Sequence, residues 1–132
     1  MGLEVQDVNT LGDIINSTFG RTSTPRSTNT LSITCKILNE NTLLITFTTI
    51  MTFYNNSQMQ AQKNKMNDES KRIINQYIKE LKNQFKERAG KTIKLEPKGE
   101  GETTLEIYNV QSHINTKKDA FYRHKVFVEF SI

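Results

Sequence analysis

Cysteine occurs once in these 132 residues and tryptophan not at all. A lone thiol, Cys35, excludes an internal disulfide framework and the multi-cysteine zinc sites that staple small domains. Apolar runs are short, and none approaches the ~20 residues that cross a bilayer as a helix. Met1–Asn9 lacks the basic-then-apolar order of a secretory signal, so a soluble, intracellular protein is expected. Hydrophobic residues make up only 35% of the chain, enough for one modest core with much polar chain outside it. No fixed period recurs, which excludes a solenoid.

Charge is present but unevenly spread. Before Lys63, three basic residues meet four acidic ones; from Lys63 to Lys98, eleven meet five; beyond Lys98, four meet five. All of the formal +4 therefore resides in the middle segment. Such a concentration suits an anion or nucleic-acid partner, and a solvated lysine-rich helix face produces it equally well.

The periodicities give an element order. Thr10 with Asp13 resembles a capping box ahead of Leu11, Ile14, Ile15 and Phe19, a short helix stopped at Gly20. Arg21–Thr30 contains no apolar residue, and residues 1–30 read as a polar arm, flexible or ordered by a partner. Residues 31–132 then form a single α+β domain. Leu31, Ile33, Cys35 and Ile37 alternate with polar residues, Asn39-Glu40-Asn41 turns, and Leu43–Phe53 returns as the second strand of a hairpin. A helix capped at Asn55, Asn56 or Ser57, or starting internally at Asn67, runs to Gly90. Three strands follow, Thr92–Glu96, Thr103–Val110 and Phe121–Ile132, with Lys98-Gly-Glu-Gly101 as the first turn. The expected fold is a mainly antiparallel sheet of about five strands, in the order ββαβββ, with one long helix on one face.

Little in this pattern points to catalysis. Cys35 lies on an apolar strand face, as a small buried thiol does. His113 in a polar loop and His124 beside Arg123 and Lys125 lack a second ligand at metal spacing and read as surface residues. Asp119, Arg123 and His124 could make an acid–base set on paper, but neighbours on a strand point to opposite faces. Glu100, Glu102 and Glu106 alternate and could hold a cation or simply solvate a turn. No catalytic residue, cofactor, metal or small-molecule substrate is expected, and no membrane contact.

Two surfaces ask for partners. On the helix, Ile74, Tyr77, Ile78, Leu81 and Phe85 form a core stripe within about 60°. Lys71, Arg72, Lys79, Lys82 and Lys86 fall on one flank at roughly 60–160°, and Glu69, Glu80 and Glu87 on the other at roughly 220–240°. Asp68 and Arg88 break the pattern. On the sheet, if Ile45, Phe47, Met51 and Phe53 face the helix, Leu44 and Ile50 face away among threonines, and Phe127 joins them. Either Leu11, Ile15 and Phe19 fold back over this far face, or another subunit covers it.

The polar arm, strand hairpin, two-signed helix and apolar final strand, Lys125-Val-Phe-Val-Glu-Phe-Ser-Ile132, together resemble the small virion proteins of tailed bacteriophages. Those that form rings at the head–tail neck or tail terminus are the nearest in kind. The resemblance implies a non-enzymatic structural protein that joins copies of itself and other structural proteins in a symmetric assembly. It also implies a place in the virion, reached from the host cytoplasm; a non-viral chain would be cytoplasmic. In such a ring Lys79, Lys82 and Lys86 would meet Glu69, Glu80 and Glu87 of the next copy, and Leu44, Ile50 and Phe127 would supply apolar burial. The alternative is a nucleic-acid-binding module using Lys71, Arg72, Lys79, Lys82 and Lys86, extended by Lys63, Lys65 and Lys91. No interleaving of aromatic and basic residues is expected to support it, because Tyr77 and Phe85 belong to the core stripe.

Overall fold

The computed structural model describes residues 4–19, 23–26, 29–109 and 117–132. Their order is α1 (Val5–Ile14), continued by a π-helical turn over Ile15–Phe19, then β1 (Ser23–Arg26), β2 (Asn29–Asn39), β3 (Thr42–Phe53), α2 (Asn56–Ala89), β4 (Lys94–Asn109) and β5 (Lys118–Ser131). The strands form one antiparallel sheet in the order β1-β2-β3-β5-β4, four long strands with the short β1 at one edge. The fold is α+β, as expected. The order ββαβββ is not: three strands precede the long helix and two follow it.

Two local misreadings explain the difference. Ser23–Arg26, inside the expected polar arm, pairs with Asn29–Ser32 as a strand. After α2, Lys98-Gly-Glu-Gly101 is no turn. It is a bulge within one strand, where the register to β5 shifts between Lys98 and Glu102 and both glycines take positive φ. Thr92–Glu96 and Thr103–Val110 are thereby largely joined in β4, which ends at Asn109.

The hairpin of β2 and β3 follows the expected alternation. Leu43, Ile45, Phe47, Thr49, Met51 and Phe53 are buried on one side of β3 while the residues between them are half-buried. On β5 the buried set is Ala120, Tyr122, His124, Val126, Val128 and Phe130. Both sets face α2, whose Ile74, Tyr77, Ile78, Leu81 and Phe85 are all buried in the same core.

α2 is continuous over 34 residues, about 51 Å, rather than starting at Asn67. Its N-cap is Asn55, whose side chain accepts from Gln58 N–H at 2.9 Å, and Gln58 Oε1 accepts from Tyr54 N–H at 2.8 Å. Gly90 closes it at φ 68°, its N–H reaching Lys86 O at 2.9 Å.

α1 begins earlier than the Thr10–Asp13 pattern suggests. Thr10 sits inside the helix, and its hydroxyl donates to Gln6 O at 2.9 Å instead of capping. Leu11, Ile14 and Ile15 enter the main core, so this stretch is part of the domain's interior; the side chain of Phe19 lies outside the described residues. The helix lies on the α2 side of the sheet. A Cβ on Gly12 would stand 3.6 Å from Ile37 Cδ1, and Asp7 pairs with Lys91 just beyond α2 at 3.2 Å. The described part of the N-terminal segment therefore does not cover the far face of the sheet.

Candidate interaction surfaces

The helical layer is predominantly basic on one side and carries most of its carboxylates on the other, with Asp68 on the first side and Arg88, which donates to Ser17 at 3.2 Å, on the second as exceptions. Lys71 pairs with Glu100 on β4 at 2.9 Å, which fixes the basic flank of α2 toward that edge. The hydrogen bond to Glu100 raises the Lys71 pKa, and the reciprocal bond lowers that of Glu100. Lys79, Lys82 and Lys86 follow along the same flank and are exposed. Tyr77 reaches toward Cys35 on β2 and marks the opposite side. Glu80 and Glu87 are exposed, and Glu69 is half-buried beside Arg72 at 3.8 Å. α1 lies on this second side as well. Its N-cap Glu4 and its Asp13 are exposed, on different faces of the helix, and the helix holds no basic residue, so α1 adds carboxylates to this side. Among the described residues, Lys79, Lys82, Lys86, Glu80 and Glu87 form no ion pair.

The basic set proposed for phosphates is partly spent. Lys71 is engaged by Glu100, Arg72 by Glu69 and Lys91 by Asp7. Lys63 is half-buried and Lys65 exposed near the start of α2, well before Lys79.

The far face of the sheet is the second surface. Cross-strand partners share a face, so the register assembles its rows. One row holds Lys36, Leu44, Phe127 and Lys98; the next Thr34, Thr46, Lys125 and Glu102; the third Ser32, Thr48, Arg123 and Thr104. Ile50, Phe121 and Glu106 follow, then Thr52, Asp119 and Tyr108. Leu44, Ile50 and Phe121 are half-buried; Phe127 and Tyr108 retain 38% and 37% exposure. The Tyr108 and Phe121 rings lie 5.3 Å apart, and the Arg123 guanidinium sits 5.9 Å from the Phe121 centroid. No described element lies over this face.

A buried polar network joins α2 to β4 and β5. Tyr122 Oη donates to Asn67 Oδ1 at 2.5 Å, Thr103 Oγ1 donates to the same oxygen at 3.2 Å, and Ser70 Oγ lies 3.3 Å from Tyr122 Oη. Thr103 Oγ1 is also 2.9 Å from His124 Nδ1. Asn67 Oδ1 takes the single Thr103 proton in this arrangement, which leaves Nδ1 of His124 as the donor to Thr103. His124, read as a surface residue from its basic neighbours, is 2% exposed and faces α2. Burial lowers its pKa, and the nearby Lys71 charge adds to this against an opposing contact from the Glu100 backbone.

The remaining candidate groupings do not converge. Arg123 and His124 point to opposite faces, as strand geometry requires, and Asp119 binds the Thr52 hydroxyl at 2.6 Å on the far face. Glu100, Glu102 and Glu106 do not share a face: the bulge turns Glu100 to Lys71, while Glu106 meets Arg123 at 3.7 Å. Cys35 is half-buried, and burial pushes its pKa up to about 12, far from that of a nucleophile. Among the described residues no group of three or more His, Cys, Asp or Glu could hold a metal ion, and no helix is long and apolar enough to cross a membrane. His113 lies outside the described residues. No protein family, curated protein or solved structure matches the chain.

Proposed function

We propose that this chain is a non-enzymatic structural protein that assembles side by side with copies of itself, in the manner of the tailed-phage neck and tail-terminus proteins it resembles, with the virion as its destination. The observation that carries this reading is the uneven charge of the helical layer, rich in free lysines toward β4 and in free carboxylates toward α1, with Asp68 and Arg88 as exceptions. Lys79, Lys82 and Lys86 flank α2 toward β4, while Glu80, Glu87, Glu4 and Asp13 lie on the α1 side. A head-to-tail contact brings the first set against the second and repeats in every subunit, closing when the rotation permits.

The sheet offers an edge on each side, although the carboxylates of β4 run against the α2 pattern there. β4 is an edge strand on the basic side, and β1 is the edge on the acidic side. Pro97 and the bulge blunt the first part of β4, whereas Glu102–Asn109 offer unpaired backbone groups to a neighbour. Exposed ion pairs are each worth about 0–1 kcal/mol, so they set orientation while backbone pairing at the sheet edges supplies affinity. Leu44, Ile50 and Phe127 lie on the face turned away from α2, so they contact a different component from the one meeting the helix flanks.

Native mass and light scattering at low and high salt test this. The expected result is a discrete oligomer that the triple change K79E/K82E/K86E dissociates and that re-forms when the E80K/E87K/D13K variant is mixed with it. A strict monomer at high concentration under both salt conditions overturns the reading.

A further inference from the structure

The far face of β5 reads Phe121, Arg123, Lys125, Phe127 at every second residue. This is the interleaving of aromatic and basic side chains absent from α2. It is formed on the sheet because alternation removes Tyr122, His124 and Val126 to the buried side. The rings are separated by six residues, about 20 Å along the strand. Beside this column, β3 and β2 present the hydroxyls of Thr46, Thr48, Thr34 and Ser32, and Lys36. Across these three strands, between the Phe121 and Phe127 rows, the charged groups are Arg123, Lys125 and Lys36, with no carboxylate. The acids of this face lie at the ends of β5, as Asp119 and Glu129, and on the edge strand β4.

We propose that this face binds single-stranded nucleic acid, with bases stacking on Phe121 and Phe127 and phosphates held by Arg123 and Lys125. Stacking accepts any base because every base has a π-face, and the cations between the rings meet the backbone that links the stacked bases. The Arg123–Glu106 contact is exposed and 3.7 Å long, and a phosphate competes with it readily. Asp119 and Glu129 bound the site at both ends, which limits it to roughly four nucleotides, the lower end of the range for sheet-based binders. A duplex fits poorly, because its bases are already stacked on one another. A second copy of this chain fits less well than a single strand, because charged residues at the centre of a patch are unfavourable in protein interfaces.

Fluorescence anisotropy at low salt tests the site with labelled oligo-dT, oligo-U and a duplex of equal length. Single strands are expected to bind ahead of the duplex, and the comparison of the first two separates DNA from RNA as the preferred partner. F127A should weaken binding about tenfold. The pair R123Q/K125Q, both on the face turned away from the core, should also weaken binding and reduce the slope of log affinity against log salt by about 1.4. K79Q/K82Q/K86Q should leave affinity within about twofold, since α2 lies on the other side of the sheet. No single-strand binding at low salt, a preference for duplex, or unchanged affinity in R123Q/K125Q with native circular dichroism each overturns the proposal. So does an oligomer that F127A dissociates while no nucleic acid binds, which would assign the face to a second copy. None of these outcomes depends on whether the helix flanks assemble.

Discussion

The Tyr122 hydroxyl donates to Asn67 Oδ1 at 2.5 Å, tying the middle of β5 to the middle of α2 across 55 residues of sequence. The same oxygen accepts from Thr103, so a single half-buried amide ties β4, β5 and α2 together at the margin of the core. Y122F removes one donor and leaves the oxygen its other partner. It is expected to cost about 1 kcal/mol in urea unfolding, whereas N67A removes the acceptor of both hydroxyls, leaving Tyr122 only Ser70 and Thr103 only His124, and should cost about 2 kcal/mol. Equal, negligible costs for both would contradict a satisfied network.

His124 makes stability depend on pH. Its pKa in the fold is lowered from the ordinary 6.5 by burial, with Lys71 on α2 adding to this and Glu100 on β4 opposing it. The unfolded chain therefore binds a proton more readily than the folded one. The stabilisation is complete above pH 6.5 and is lost as pH falls through the lower, folded value. The urea midpoint should fall between about pH 7.5 and pH 5 more in the native sequence than in H124N. Parallel profiles would exclude His124 as the source.

The two bulge glycines are unequal. At Gly99, φ 70°, a Cβ would meet nothing within 4 Å, so G99A carries only the backbone cost of about 1 kcal/mol. At Gly101, φ 83°, the added carbon would stand 2.5 Å from Lys125 O and 3.0 Å from His124 Nε2. G101A should destabilise by about 3 kcal/mol or more, and thermal melts of the pair measure the difference directly.

Much of the layering was legible because it obeys short periods. The alternation in β3 fixed which of Ile45, Phe47, Met51 and Phe53 are buried, and the stripe from Ile74 to Phe85 fixed the buried side of α2. Gly99 and Gly101 misled because a bulge and a turn call on the same property, access to positive φ, and only the partner strand distinguishes them. His124 looks like a surface residue because its neighbours Arg123 and Lys125 are charged, but the alternation of β5 places it inside. The position of α1 beside α2 depends on contacts between distant residues, such as Asp7 with Lys91, which no local pattern encodes.

Cys35 offers a probe of the same interior. With its pKa pushed up to about 12 by burial, it should react with a thiol reagent at neutral pH far more slowly than a peptide thiol. Full reactivity is expected only in denaturant. Fast modification of the folded protein would show that β2 separates easily from α2.

β5 enters the sheet between β3 and β4, and its pairs with β3 join residues as far apart as Thr42 and Glu129. Until that insertion takes place β3 has a bare margin along its whole length, while α2 and the β4–β5 hairpin are already able to form from residues near one another in the chain. Loop closure over such separations is slow, so refolding should be rate-limited by this step. During the delay the margin of β3 is open to the β5 of another molecule, and exchange of that strand between chains is the misassembly this topology invites at high concentration.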